Sequence, residues 1–180
     1  MTEGRADGRL SEETIRKVLE ERAKKIAEPV TGSVETGIVE VLRFQLAYQE
    51  YALETRYVKE VILTGEITPV PGAPPFISGI CAVRGRIISL VDLRILFSLP
   101  EKGLTDLNRV IVITDGRLTF GILADTITGL GTIPAFLIVP PTPGTDLSWK
   151  RYLKGYVSDS LVVLDADSLL SDPALVVEDA

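Results

Sequence analysis

Apolar positions recur at helical spacing between residues 11 and 28, where Ile15, Val18, Leu19, Ala23 and Ile26 form one stripe. Ser11 is placed to cap that helix, Glu12 and Glu13 suit its positive start, and Pro29 follows its end. Four i,i+4 pairs, from Glu12–Arg16 to Glu21–Lys25, run in the favourable orientation. The segment Pro29–Gly37 reads as a linker, so the helix either packs on its own domain or serves as an arm for a partner.

From Val39 the period changes to two. Val39, Val41, Phe44 and Leu46 alternate with a slip at Leu42 that predicts a bulged strand, a turn follows at Tyr48–Glu50, and "YALET" continues beyond it. Tyr57–Leu63 fits a short helix or a strand, and the prolines of "TPVPGAPPF" predict an irregular surface loop. Ile77–Val83 and Ile87–Val91 predict two strands joined at Arg84-Gly85, with Gly85 supplying the left-handed backbone of a tight turn. Asp92 then stands at the N-cap of a short helix, "LRILFS", ended by Pro100.

The second half continues in this style. "RVIVITD" and "GRLTFGILAD" predict a hairpin turning at Asp115-Gly116. Gly129 to Gly144 reads as a Pro/Gly-rich excursion holding one further strand, "AFLIV". "WKRYLKGYVS" and "LVVLDADSLL" predict a last hairpin turning at Ser158–Ser160, followed by a short helix over 167–170. Trp149, Tyr152 and Tyr156 are assigned to barrel closure. Many short strands at regular intervals mean a barrel or sandwich, and no strict repeat is visible between two halves that are each about the size of a small barrel.

The 180 residues fit one domain or two intimate subdomains, and 46% hydrophobic with 24% charged residues is a globular balance. A net charge of −6 without a dense basic cluster makes nucleic acid an unfavourable partner. The single cysteine, Cys81, has no disulfide or metal-ligand mate and reads as a buried, inert thiol. The chain contains no histidine, which removes the commonest general base and every His-based triad. No phosphate loop, nucleophile elbow, zinc motif or redox pair occurs, so no catalytic residue, metal site or cofactor is expected. An enzyme would require clustered carboxylates such as Asp92, Asp115, Asp125 and Glu60, each of which has a simpler reading as a cap, turn or strand-end charge. With no signal-like start and no membrane-length apolar run, the expected compartment is the cytoplasm, without direct membrane insertion.

The stretch Phe76-Ile77-x-Gly79-Ile80, Arg84-Gly85, Ile87-Ile88 and Leu90-Val91-Asp92-Leu93 resembles the CheW family, the coupling proteins of bacterial chemosensory arrays. Val58-x-Glu60-Val61 upstream, and Gly121-Ile122, Asp125 and Ile127 downstream, are similar to further family motifs. Gly155, Leu164-Asp165 and Leu169-Leu170 extend the resemblance, which runs from about Ile38 to Leu170. The family's asparagine is Ala82 here and its usual proline is Ser89. The resemblance implies a mainly β fold of two five-stranded SH3-like barrels packed together, with the N-terminal helix and short helices added. The expected organisation is an N-terminal extension over 1–37, a CheW-like domain over 38–170 and a C-terminal tail over 171–180.

As implied function, the chain is a non-enzymatic adaptor recruited to membrane receptor arrays. It binds the cytoplasmic tip of methyl-accepting chemotaxis receptors and the regulatory domain of a CheA-type histidine kinase. Arg84 corresponds to the family arginine important for coupling, displayed for contact or locking one subdomain to the other. Val58, Glu60, Gly79 and Gly121 match positions associated with receptor or kinase contact, and Gly79 reads equally as bare backbone for a strand crossing. Gly85, Asp92 and Cys81 are expected to be structural. The competing readings are an adaptor of a non-flagellar system, such as pilus motility, and a small-ligand-sensing barrel.

Overall fold

The structure, a computed structural model, describes Arg16 and residues 37–100, 107–144 and 148–175. Arg16 and Gly37 apart, the helix expected over 11–28 and its linker lie outside the described residues, as does the tail from 176 onward. Among those described, ten strands occur: β1 Ile38–Leu46, β2 Gln49–Glu54, β3 Val58–Leu63, β4 Ile77–Val83, β5 Arg86–Val91, β6 Arg109–Thr114, β7 Thr119–Ala124, β8 Thr126–Pro134, β9 Leu153–Val157 and β10 Leu161–Leu164. Two short helices, α1 Leu93–Leu96 and α2 Ala166–Leu170, follow the second strands of the β4–β5 and β9–β10 hairpins.

The strands form two five-stranded sheets, β8-β1-β2-β10-β9 (barrel I) and β3-β6-β7-β5-β4 (barrel II). The two barrels do not coincide with the two halves of the chain: β1 and β2 leave their sequence neighbours and pair with β8 and β10. Each barrel contains one parallel pair, β2 with β10 and β5 with β7, at the place where the chain returns from afar. Alternation within a strand cannot reveal this exchange, because it fixes which face is buried and not which strand lies beside it.

The exchange exposes a repeat that the sequence alone had hidden. Phe76–Asp92 and Tyr152–Asp165 are structural counterparts. Asp92 N–H donates to the Phe76 carbonyl at 2.7 Å, and Asp165 N–H to the Tyr152 carbonyl at 2.8 Å. Asp92 and Asp165 then cap α1 and α2, accepting from the Arg94 and Ser168 N–H groups. Each barrel closes through one backbone bridge, Thr68 with Ile80 and Val139 with Tyr156. Beside each bridge stands a glycine with a matching role. A Cβ on Gly79 would lie 2.8 Å from Ile67 Cγ2 and closer still to the Thr68 carbonyl oxygen; on Gly155 it would lie 2.8 Å from Ile138 Cγ2 and 2.5 Å from the Val139 oxygen. The bare backbone lets the chain cross over the sheet edge.

Several local expectations change. The bulge falls between Arg43 and Phe44 rather than at Leu42, where β8 opposes β1 with an extra residue beside Gly129. The first part of the stretch read as a Pro/Gly excursion, Gly129–Pro134, is therefore the end of strand β8, with Gly129 serving the bulge at φ +144°. "AFLIV" is a 3-10 turn, Ala135–Leu137, where Pro134 ends the ladder. The ambiguous Tyr57–Leu63 is a 3-10 turn, Thr55–Tyr57, followed by strand β3.

Barrel I encloses Val41, Ala52, Ile133, Ile138, Val157, Leu161 and Val163, and barrel II encloses Cys81, Val83, Ile88, Leu90, Val110, Val112 and Leu123. Between them lies a larger shared core in which Phe44, Leu53, Ile111, Phe120, Ile122 and Leu169 meet. Strand β6 explains its continuous apolar run: Val110 and Val112 fill barrel II while Ile111 and Ile113 face the shared core. Ring contacts run through this core, with Phe97 stacked 4.7 Å from Trp149 and tilted at 6.2 Å from both Tyr51 and Tyr152.

The C-terminal turn Pro173–Leu175 is held by Asp172, which accepts from the Tyr152 hydroxyl and the Ala174 N–H and pairs with Arg151 at 2.9 Å. Burial works against its charge, but the Tyr152 and Ala174 bonds and the Arg151 guanidinium outweigh it, and the carboxyl is held below the usual 3.8. Burial, with the bond to Asp172, pushes the Tyr152 hydroxyl up to about 12.

Two outcomes follow. Gly79→Ala is expected to cost about 3 kcal/mol in urea unfolding, whereas Gly65→Ala, with nothing within 4 Å of the added carbon, changes little; equal effects would contradict the crossing. Because the pKa of Asp172 is depressed on folding, its stabilisation is present above pH 3.8 and lost as pH falls through the folded value. Asp172→Asn should therefore lower stability by about 2 kcal/mol near neutrality, with the gap closing in acid; a gap independent of pH would contradict the assignment.

Candidate docking surface

The hairpin tip between β4 and β5 has both central residues in the left-handed region, Arg84 at φ +48° and Gly85 at φ +78°, with Val83 and Arg86 paired across it. This is the double-positive arrangement whose twist matches flanking strands. Glycine adopts it freely, but an arginine there is strained by roughly 1–2 kcal/mol. The side chain gains little burial in return, since it is 79% exposed. Its Nε donates to Glu60 Oε2 at 2.9 Å, and Glu60 is itself mostly buried at 17%. The pair therefore joins the tip to β3 within barrel II, and the reading of Arg84 as a lock between the two subdomains is corrected. An exposed pair of this kind contributes at most about 1 kcal/mol.

The other sequence-selected residues divide between surface and interior. Val58 is half-buried at the start of β3, packed against the shared core. Gly79 and Gly121 are buried. At Gly121 a Cβ would lie 2.6 Å from Val110 Cγ1 and 2.7 Å from Leu90 Cδ2, so this glycine makes room inside barrel II and presents nothing to a partner directly. Cys81 is buried in the same interior, and burial pushes its thiol pKa up. Asp92 is 4% exposed and caps α1 while both its oxygens take the Arg94 guanidinium, at 3.1 Å from Nε and 2.8 Å from Nη2. The Asp-Leu-Arg sequence is thus a cap that brings its own counter-ion.

Sequence reasoning passed over two neighbours. Arg86 is exposed, and Ile87 is 60% exposed beside it, so the tip is apolar and basic at once. The corresponding tip of barrel I, Ser158–Ser160, carries Asp159 instead, and the two barrel ends differ in charge.

A second feature is an open groove of about 450 Å³ where the barrels meet, lined by Val61 and Arg109 of barrel II, Thr126 and Ile127 of β8, and Asn108 and Asp125. Asp125 is the one-residue connection from β7 to β8. Its Oδ2 accepts from the Ala47 N–H at 2.8 Å, while its buried Oδ1 has no hydrogen-bond partner. A further open hollow of about 360 Å³ is lined mainly by apolar residues, including Leu46, Tyr48, Tyr51, Trp149 and Tyr156. Among the described residues no three His, Cys, Asp or Glu side chains gather to hold a metal ion, and no helix is long and apolar enough to cross a membrane.

Two strand-exchanged five-stranded barrels, with an arginine-tipped hairpin on one and a groove at their junction, define the class as a paired β-barrel protein. The profile of the CheW-like domain matches residues 40–174. Protein FrzA of Myxococcus xanthus is 32% identical over 117 residues, covering 65% of this chain and 72% of its own. Chemotaxis protein CheW of Bacillus subtilis is 29% identical over 145 residues, covering 78% and 92%. The crystal structure of the scaffolding protein TtCheW from Thermoanaerobacter tengcongensis superposes with a TM-score of 0.64 at 27% identity, over 71% of this chain and 89% of that one. The chain belongs to the CheW family of chemotaxis scaffold proteins.

Arg84→Asn, which suits the left-handed turn and deletes the guanidinium, is expected to leave stability within about 0.5 kcal/mol of the parent in urea unfolding. A loss above about 2 kcal/mol would make the arginine a structural element of the fold.

Proposed function

We propose that this chain is a non-enzymatic adaptor that couples chemoreceptor cytoplasmic tips to the regulatory domain of a CheA-type histidine kinase, from a cytoplasmic position on membrane receptor arrays. The observation that carries the reading is Arg84: the fold holds an arginine in a strained conformation and leaves it 79% exposed, which serves display better than stability. Glu60 on β3 fixes the direction of the guanidinium, and Val58, two residues earlier on that strand, packs against the shared core. Gly79 and Gly121 act on this surface indirectly, by setting how closely strands β4 and β7 lie to their neighbours.

The groove at the barrel junction suits one face of a receptor helix. Val61 and Ile127 offer apolar contact, and Arg109 and Thr126 add polar groups to the lining. Kinase docking is assigned to a barrel end, where like barrels meet in heterologous contact. Coupling then consists of a rigid spacer transmitting a change in receptor geometry to the kinase, with no chemistry in this chain.

A titration of the purified chain against its native kinase regulatory domain and a receptor-tip fragment tests this. Separable binding to both at about micromolar Kd is expected, weakened roughly tenfold or more by Arg84→Ala, equivalent to about 1.4 kcal/mol. Binding to neither partner by a well-folded chain would overturn the adaptor reading, and the identity of the kinase that binds reads out which system it serves.

A further inference from the structure

The parallel strand pair of barrel II gathers charge at one end of the barrel. Because β5 and β7 run the same way, in register at Leu90–Gly121 and Val91–Ile122, they begin at the same end. The β4–β5 tip and the Asp115–Leu118 turn, which lead into them, therefore both stand there. Strand β3 starts at this end too, since Val58 lies opposite Ile113 near the close of β6. Three separate segments thus bring Lys59, Arg84, Arg86 and Arg117 to one end, against Glu60 and Asp115.

Both carboxylates are already engaged. Glu60 Oε2 accepts from Arg84 Nε at 2.9 Å. Asp115 Oδ1 accepts from the Leu118 and Arg117 N–H groups, each at 2.8 Å, and these bonds hold its carboxyl below the usual 3.8. Arg86 and Arg117 are exposed and make no ion pair among the described residues. Arg56, just ahead of β3, differs, because Glu54 takes it at 2.6 Å. Four cations against two carboxylates give this end +2 in a chain of −6, so the remaining residues carry −8. At physiological salt, charges more than about 8 Å apart are largely screened. A partner approaching this end therefore meets the local +2 rather than the net −6. The matching tip of barrel I carries Asp159 and offers no such attraction.

We propose that this end of barrel II receives a carboxylate-rich segment of a protein partner, with Arg86 and Arg117 supplying the free charge that attracts and orients it. Neither arginine belongs to the motifs that carry the family resemblance. Arg84 stays with Glu60, and Ile87, 60% exposed and next to Arg86, adds apolar contact within the basic rim. Four cations diluted by two carboxylates suit a few carboxylates better than the dense charge of a phosphate backbone. The name of the partner rests on the adaptor reading above, in which the acidic segment belongs to the kinase regulatory domain. Charges of this kind act on the rate of association more than on dissociation.

Hexaglutamate titrated into the isotopically labelled full chain at low salt tests the surface without the kinase. Amide shifts confined to residues 84–87 and 115–118 are expected, absent with hexalysine and lost in an Arg86→Glu, Arg117→Glu variant. Shifts spread over the whole surface, or no shifts, would overturn the proposal. So would the same shifts on concentrating the protein alone, since the occupant would then be a second copy. Co-sedimentation with phosphatidylserine vesicles, abolished by the same reversal, would overturn it in favour of a lipid surface.

Stopped-flow association with the kinase regulatory domain separates this proposal from the adaptor reading. The double reversal is expected to slow association about tenfold at low salt, with dissociation changed less than about threefold. An Arg86→Lys, Arg117→Lys variant, which keeps the charge, should stay within about twofold of the parent, and added salt should erase the differences. Binding at a rate indifferent to salt and to the reversal would overturn the proposal and leave the adaptor reading standing. Localised hexaglutamate shifts without kinase binding would uphold the basic end and remove the adaptor reading.

Discussion

Each barrel depends on a crossing in which backbone meets backbone with no side chain between. At Gly79 and at Gly155 the chain passes so close to a carbonyl of the crossing segment that only hydrogen fits. Those approaches allow the bridges Thr68–Ile80 and Val139–Tyr156, which turn two open sheets into closed ones and remove their free edges. Closure in turn places the β4–β5 tip beside β3, so that Arg84 can meet Glu60. The Arg84–Glu60 pair therefore depends on a buried glycine elsewhere in the same barrel.

Much of this was legible along the chain, and the limit is physical. The hairpins at Arg84-Gly85 and Asp115-Gly116 are local, because two residues with positive φ or a side-chain-bonded aspartate specify the turn. Asp115 accepts from the Arg117 and Leu118 N–H groups as such a turn requires. The exchange of β1 and β2 was not legible, since its defining pairings, Val162 with Tyr51 and Leu90 with Gly121, join residues far apart in sequence. Nor was β8, whose glycines look like punctuation until β1 is laid against them. The repeat of aspartate caps was present in the letters, Leu-Val-Asp-Leu against Val-Leu-Asp-Ala, but with too few identities to stand out.

For the candidate surface, the fold sorts the residues named by the resemblance according to what they can do. Arg84 and Glu60 are accessible chemistry, Val58 is part of the frame, and Gly121 is space inside a barrel. An apolar residue in a strand reads as core, and only the alternation in the folded sheet shows that Ile87 faces outward beside Arg86.

The exchange of strands between halves also orders events at the ribosome. All strands of barrel II lie between Val58 and Ala124, so it can close as soon as β7 has emerged. Barrel I cannot, because β2 needs β10 as its neighbour and β10 is the last strand made. The first hairpin therefore waits, with Val41, Phe44 and Leu53 uncovered, through the synthesis of an entire neighbouring barrel. A chain of this design is most exposed to misassociation during its own translation, and an early-finished barrel II gives that waiting hairpin a nearby surface on which to rest.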